Sequence, residues 1–104
     1  MEDELLEDLL KNLGDDYEPL LAEICIKMAM KTFRRKRNYP RTFTEEKILI
    51  DMDNNYACIY DLALYRFAKD GGEFQTSHSE NGITRQWESE TEIFIHHGVF
   101  PFVG

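Results

Sequence analysis

Several residue types that define large protein classes are scarce in this sequence. Its 104 residues include two cysteines, three prolines, six glycines and one tryptophan, and 12 basic residues stand against 20 acidic ones. No apolar run approaches the ~20 residues that a membrane-spanning helix requires. The first residues are acidic, whereas a secretory signal begins with basic residues. We therefore expect a single small domain with neither a membrane segment nor a signal peptide.

Motifs for catalysis and cofactor binding are also missing. The six glycines are too scattered for a phosphate-binding loop, a dinucleotide fingerprint or a nucleophile elbow. The residues that most often bind transition metals lack the spacing of a chelating pair: Cys25, Cys58, His78, His96 and His97. The sequence therefore predicts no catalytic residues, no metal site and no cofactor.

Charge and cysteine usage narrow the range of partners and compartments. The formal net charge of −8 disfavours nucleic-acid binding over the whole surface, because attraction to phosphates needs positive faces. Cys25 and Cys58 both lie in apolar stretches with helical spacing, which indicates buried free thiols in a reducing compartment. We expect the protein to be cytoplasmic where it is made.

The longest helical signal runs from Thr44 to Asp70 without glycine or proline. Thr44 is a suitable N-cap, and Gly71 and Gly72 can end the helix. Apolar residues recur every three or four positions and form one stripe: Ile48, Met52, Tyr56, Ile59, Ala63 and Phe67. A second stripe lies beside it: Leu49, Tyr56, Tyr60 and Leu64. Two neighbouring stripes form a broad apolar face, so this pattern predicts one long helix at the centre of a bundle.

Two further helices are predicted before it. Residues 2–13 have an amphipathic pattern with acidic residues in the first turn, where the helix dipole favours them. The second helix begins after an Asp16 cap and ends near Tyr39-Pro40, since the residue before a proline is extended. Its predicted buried side has eight members: Tyr17, Leu20, Leu21, Ile24, Cys25, Met28, Ala29 and Phe33. The short link between the two helices favours antiparallel packing.

The second helix ends in a basic run with three possible roles. The run contains Arg34, Arg35, Lys36, Arg37 and Arg41. These cations can form a solvated helix end that the dipole stabilises. They can also pair with an acidic partner surface, including another copy of this acidic chain, or contact phosphates. Five bases beside one tyrosine do not by themselves make a nucleic-acid motif.

The segment after residue 70 is polar and carries a turn signal. Asn81-Gly82 is the strongest short signal for a two-residue hairpin turn. A polar hairpin buries little surface of its own, so it needs a surface to lie on, and Trp87 is the obvious anchor. The alternative is a mobile loop that orders only on contact with a partner.

From residue 90 onward the chain is apolar again. Gly98 and Pro101 favour a short turn of helix or strand near residues 91–97, followed by an extended tail. If the bulky residues Phe100 and Phe102 were exposed to solvent, they would favour aggregation. We expect these residues to cover an edge of the core or to dock on another subunit, and a tail with no partner in its own small core suits the second alternative.

These patterns together predict a mainly α fold. We expect a small antiparallel bundle of three main helices, a polar hairpin or loop arm, and a short C-terminal segment. One domain covers residues 1–104, with a helical body over 1–70, the arm over 71–89 and the tail over 90–104.

Residues 64–72 and 75–89 read LYRFAKDGG and QTSHSENGITRQWES. They resemble the small head–tail connector proteins of tailed bacteriophages, also called head-completion or adaptor proteins, and related prophage proteins. In that family a helix ends near a glycine pair. A serine-rich segment follows, then a glycine, a branched apolar residue, a serine or threonine, and an aromatic residue. The matching residues here are Ser77, Ser79, Gly82, Ile83, Thr84 and Trp87. The leucine-rich final helix of the family has no counterpart in residues 92–101.

The resemblance implies a structural virion protein rather than an enzyme. Such proteins assemble as a ring, often dodecameric, beneath the portal protein, extend the DNA channel and dock the next tail component. Genomic DNA would pass through without specific binding, and the locations would be the host cytoplasm and then the virion neck. The expected assembly interface comprises Ser77, His78, Ser79, Asn81, Gly82, Ile83, Arg85, Trp87, Phe100 and Phe102. The alternative is a small nucleic-acid-binding regulator that uses Arg34, Arg35, Arg37 and Arg41.

Overall fold

A computed structural model describes residues 1–13, 19–70 and 89–102 of the protein. Within these ranges the chain forms five helices: α1 (Glu2–Leu13), α2 (Pro19–Arg37), α3 (Glu45–Asn54), α4 (Tyr56–Asp70) and α5 (Glu90–His96). Helix α2 packs along α4, α1 contacts both of them, and α3 and α5 contact α4. The predicted mainly α bundle is confirmed. The predicted arm up to residue 88, the Asp16 cap and Tyr17 lie outside the described residues.

The core lies where α1, α2 and α4 meet and is closed by α3 and α5. Its largest fully buried side chains come from all five helices: Leu5, Leu9, Cys25, Ile26, Phe33, Met52, Cys58, Ile59, Leu62 and Ile93. Burial of one large aliphatic side chain contributes about 1.5–3 kcal/mol relative to exposure. Both thiols are buried, as the sequence predicts. No described helix combines the length and the apolar character that a bilayer span requires.

The predicted long helix is wrong in one respect, because it is broken at Asn55. Thr44 does cap α3, since its Oγ1 accepts the N–H of Lys47 at 3.2 Å. Asn55 leaves helical geometry at φ −115° and ψ 30°. Its side-chain amide donates to the carbonyl oxygen of Asp51 at 2.8 Å. A short amide side chain that bonds the backbone competes with the helix ladder, which is a physical reason for the break.

The first predicted stripe of this region is nevertheless confirmed. Its members are buried or packed against the core: Ile48, Met52, Tyr56, Ile59, Ala63 and Phe67. The second stripe is wrong at Leu49, which is 48% exposed, whereas Tyr60 and Leu64 pack against the core. Leu49 lies on α3, and the break turns that part of the stripe away from the bundle.

The predicted buried side of α2 is wrong at three of its members. Leu20, Ile24 and Met28 are exposed, whereas Cys25, Ala29 and Phe33 are buried. The predicted face was too wide, because a helix on the surface of a bundle buries only part of its circumference. Helix α2 ends at Arg37, and Asn38 follows with φ 53°, a left-handed conformation that asparagine tolerates at a helix end.

The last described segment has the predicted order of a short helix and an extended tail. Ser89 caps α5 by accepting the N–H of Glu92 at 3.2 Å. Gly98 then takes φ +67°, where a side chain would be strained. The chain turns there, and the N–H of Val99 bonds the carbonyl oxygen of Phe94 at 2.9 Å.

Candidate functional site

The end of the basic run meets α3 through a partly buried ion pair. Arg37 donates to Asp51 from Nε to Oδ2 at 2.9 Å and from Nη2 to Oδ1 at 2.7 Å. The side chains are only 16% and 17% exposed. Two parallel bonds from one guanidinium give this pair a fixed geometry. The hydrogen bond raises the pKa of Arg37 and holds the pKa of Asp51 below its usual range, so both groups are charged at neutral pH.

Tyr39 completes this polar cluster. Its hydroxyl donates to Oδ2 of Asp51 at 2.7 Å. Burial raises the pKa of Tyr39, and the hydrogen bond to the Asp51 carboxylate raises it further. Asp51 thus accepts bonds from two side chains of the α2–α3 connection. We name the three residues Arg37, Tyr39 and Asp51 the polar hub.

The C-terminal tail is attached to the polar hub. Arg37 donates from Nη1 to the carbonyl oxygen of Phe100 at 2.8 Å, and its own carbonyl accepts the N–H of Phe102 at 2.8 Å. The guanidinium also lies 4.1 Å from the centroid of the Phe102 ring, a cation–π distance. That ring packs 5.1 Å from the ring of Phe43 and 5.8 Å from the ring of Tyr39.

These contacts correct the prediction that the tail lacks a partner in its own body. Phe102 packs on residues of the same chain, and Val99 is buried. Phe100 differs, because 59% of its side chain is exposed. Of the two predicted contact residues in the tail, only Phe100 presents its ring to solvent.

The remaining arginines of the basic run differ in how far they are engaged. Arg34 pairs with Glu45 through two bonds of 3.0 and 3.2 Å, in a pair that is largely exposed. Arg35 and Arg41 are exposed. Two of the four arginines proposed for phosphate contact are thus bound to carboxylates of the same chain.

Comparison with known proteins finds no family model, no curated protein and no solved structure that matches this chain.

A second polar contact joins α4 to the end of α5. Nε2 of His97 lies 2.6 Å from Oδ2 of Asp61 in a hydrogen bond that is about four-fifths buried on both sides. Arg66 of α4 pairs with Glu90 at the start of α5 at 3.1 Å. These two contacts hold α5 against α4. A separate finding is that the described residues contain no group of three or more potential metal ligands.

The other predicted contact residues belong to the arm and lie outside the described residues: Ser77, His78, Ser79, Asn81, Gly82, Ile83, Arg85 and Trp87. The sequence analysis missed Asp51, which it treated as part of a helix and not as a partner of Arg37. One signal was available in the sequence. Asp51 lies in the predicted helix that directly follows the basic run, so an acidic residue stands near several arginines along the chain. The pairing itself depends on how α2 and α3 cross.

Proposed function

We propose that this protein is a structural virion protein, a head–tail connector that assembles as a ring under the portal, extends the DNA channel and docks the next tail component. The proposal rests on the resemblance of residues 64–72 and 75–89 to that family, together with one feature of the tail. Its locations would be the host cytoplasm during assembly and then the virion neck.

The feature that carries the proposal is the outward position of Phe100. Val99 is 2% exposed, the carbonyl of Phe100 is bound by Arg37, and Phe102 packs against Tyr39 and Phe43. The backbone is therefore held on both sides of an exposed phenyl ring. A side chain on a backbone that is already held in place loses less conformational entropy on binding, and phenylalanine is enriched at protein interfaces.

A second exposed apolar side chain in the last described segment supports an assembly role. Ile95 on α5, the helix that precedes the tail, is 62% exposed. The net charge of −8 suits a channel subunit, because an acidic wall repels the phosphates of passing DNA. The ring, often dodecameric in the similar family, would then let genomic DNA pass through the channel without specific binding.

The test is attachment of the purified protein to portal-containing heads, read by co-sedimentation and by native mass spectrometry. We expect the wild type to attach and to add several copies. Phe100→Ser should weaken attachment at least tenfold while the melting temperature stays within about 2 °C, because the ring is exposed. Leu49→Ser is the matched control for the loss of an exposed apolar side chain. A monomeric wild type that does not attach to heads contradicts the proposal.

The same preparations test the nucleic-acid alternative. Arg35→Ala with Arg41→Ala removes the two exposed arginines of the basic run and leaves the ion pairs of Arg34 and Arg37 in place. Binding of the wild type to duplex DNA at low salt, lost in this double variant and falling steeply with added salt, would favour the regulator. The connector predicts no such binding.

A further inference from the structure

An apolar stripe is exposed along the first half of α2. Leu20, Ile24 and Met28 are 67%, 56% and 41% exposed. They are spaced four residues apart, so at about 100° per residue they lie within about 80° of one another around the helix axis. Scattered single apolar residues are normal on a protein surface, whereas a contiguous row marks a contact surface.

Charged residues border this stripe in a definite order. Glu23 and Lys27 are exposed and lie on the same edge of the stripe, about 40° apart around the axis. Neither forms an ion pair with another described residue. Lys31 and Arg35 are also exposed and follow toward the C-terminal end of α2. The acidic residue Glu23 thus lies near the N-terminal end of this face. The basic residues follow toward its C-terminal end: Lys27, Lys31 and Arg35.

We propose that this face binds the same face of a second copy, with the two α2 helices antiparallel and a two-fold axis near Ile24. In this arrangement Leu20 of one copy meets Met28 of the other. Two antiparallel helices bring the same edges together, so Glu23 of each copy lies beside Lys27 of the other, and the charge pair forms twice. A parallel arrangement would instead place Lys31 against Lys31 and Arg35 against Arg35, and like charges repel.

A two-fold contact closes after two copies, so it does not by itself build a ring. The proposed dimer is therefore independent of the connector assignment and pairs free subunits through a surface other than that of Phe100. The stripe consists of three apolar side chains, so we expect a small interface and a dissociation constant on the order of tens of micromolar.

Sedimentation velocity of the full chain over a concentration series tests the dimer. We expect the wild type to shift from monomer to dimer within this range. Ile24→Asp should weaken the dimer at least tenfold, because a carboxylate would lie at the apolar centre of the contact. Ile50→Asp is the matched control, since Ile50 on α3 is exposed to the same extent, 56%. It should dimerise as the wild type does.

Cysteine cross-linking tests the direction of the helices. Ile24→Cys lies near the axis and should form a disulfide-linked dimer with itself under mild oxidation. Leu20→Cys should link poorly with itself but efficiently with Met28→Cys in a mixed sample. Self-linking of both end variants would indicate parallel helices and overturn the proposal.

Charge exchange provides a further check, because restoration of the dimer by a second substitution distinguishes loss of this contact from general destabilisation of the fold. Glu23→Lys and Lys27→Glu should each weaken the dimer, and the double exchange should restore it. A wild type that stays monomeric at several hundred micromolar, without cross-linking at position 24, overturns the dimer. If Phe100-dependent attachment to heads persists in that case, only the dimer is wrong and the connector proposal stands.

Discussion

The guanidinium of Arg37 holds the carboxylate of Asp51 through two bonds of 2.7 and 2.9 Å, and it holds the tail through the carbonyl of Phe100 at 2.8 Å. One side chain at the end of α2 therefore fixes both α3 and the C-terminal tail. Two positions that the sequence leaves unrelated, 51 and 100, become neighbours through it. The position of the exposed Phe100 ring depends on this arrangement.

Replacement of Arg37 by alanine should destabilise the fold strongly. The change leaves the partly buried carboxylate of Asp51 without its cation and releases the tail, so we expect a loss of about 3 kcal/mol in the free energy of unfolding. Urea unfolding followed by circular dichroism measures it. Arg34→Ala is the control, because the Arg34–Glu45 pair is largely exposed and should cost only about 0.5 kcal/mol. Equal losses for the two variants would contradict the role assigned to Arg37.

The Asp51 contribution should depend on pH in a defined direction. Because the pKa of Asp51 is lowered in the folded protein, the unfolded chain binds its proton more readily. The stabilisation is thus fully present above the ordinary pKa of 3.8 and is lost as the pH falls through the lower folded-state pKa. The difference in unfolding free energy between the wild type and Asp51→Asn should therefore be largest near neutral pH and shrink as the pH falls below 3.8. A difference that grows on acidification would refute this.

A pair of isoleucines distinguishes the core from the surface. Ile59 on α4 is fully buried and Ile50 on α3 is 56% exposed. Ile59→Asp should unfold the domain, because an unpaired charge in the core costs more than the stability of a domain of this size allows. Ile50→Asp should change the unfolding free energy by about 0.5 kcal/mol or less. Circular dichroism spectra and melting curves of both variants measure this, and a folded Ile59→Asp protein would contradict the described core.

The thiol of Cys58 should be unreactive in the folded protein. Burial raises its pKa to about 12, with a smaller effect from the nearby charge of Asp61. The reactive thiolate is therefore rare at pH 8. We expect Cys58 to react with a disulfide reagent at least ~100-fold more slowly in the native protein than in guanidinium, since reaction requires opening of the core. A Cys25→Ala background isolates the signal, and rapid native reaction would place Cys58 at the surface.

The sequence analysis succeeded where one local rule was sufficient. The apolar periodicity of residues 2–13 and 56–70 predicts helices there, Thr44 predicts the cap of α3, and Gly98 with Pro101 predicts the end of α5. The sequence analysis failed where the burial of a residue or the continuity of a helix depended on contacts that form only in the folded protein. Ile24 and Cys25 are adjacent and both apolar, but only Cys25 of the two is buried in the bundle. Asn55 carries no strong signal against a helix until its side chain bonds the carbonyl of Asp51.

The sequence by itself determined the helical class, the approximate bounds of α1, the end of α2 and the acidic, cysteine-poor character, because these depend on residue types and on spacing along the chain. Only the tertiary structure decided which apolar residues remain exposed and which cation meets which carboxylate. Those outcomes depend on the directions in which the packed helices cross. Phe100 and Phe102 show the difference. Their local sequences are alike, but contacts with Arg37, Tyr39 and Phe43 partly bury Phe102 and leave Phe100 exposed.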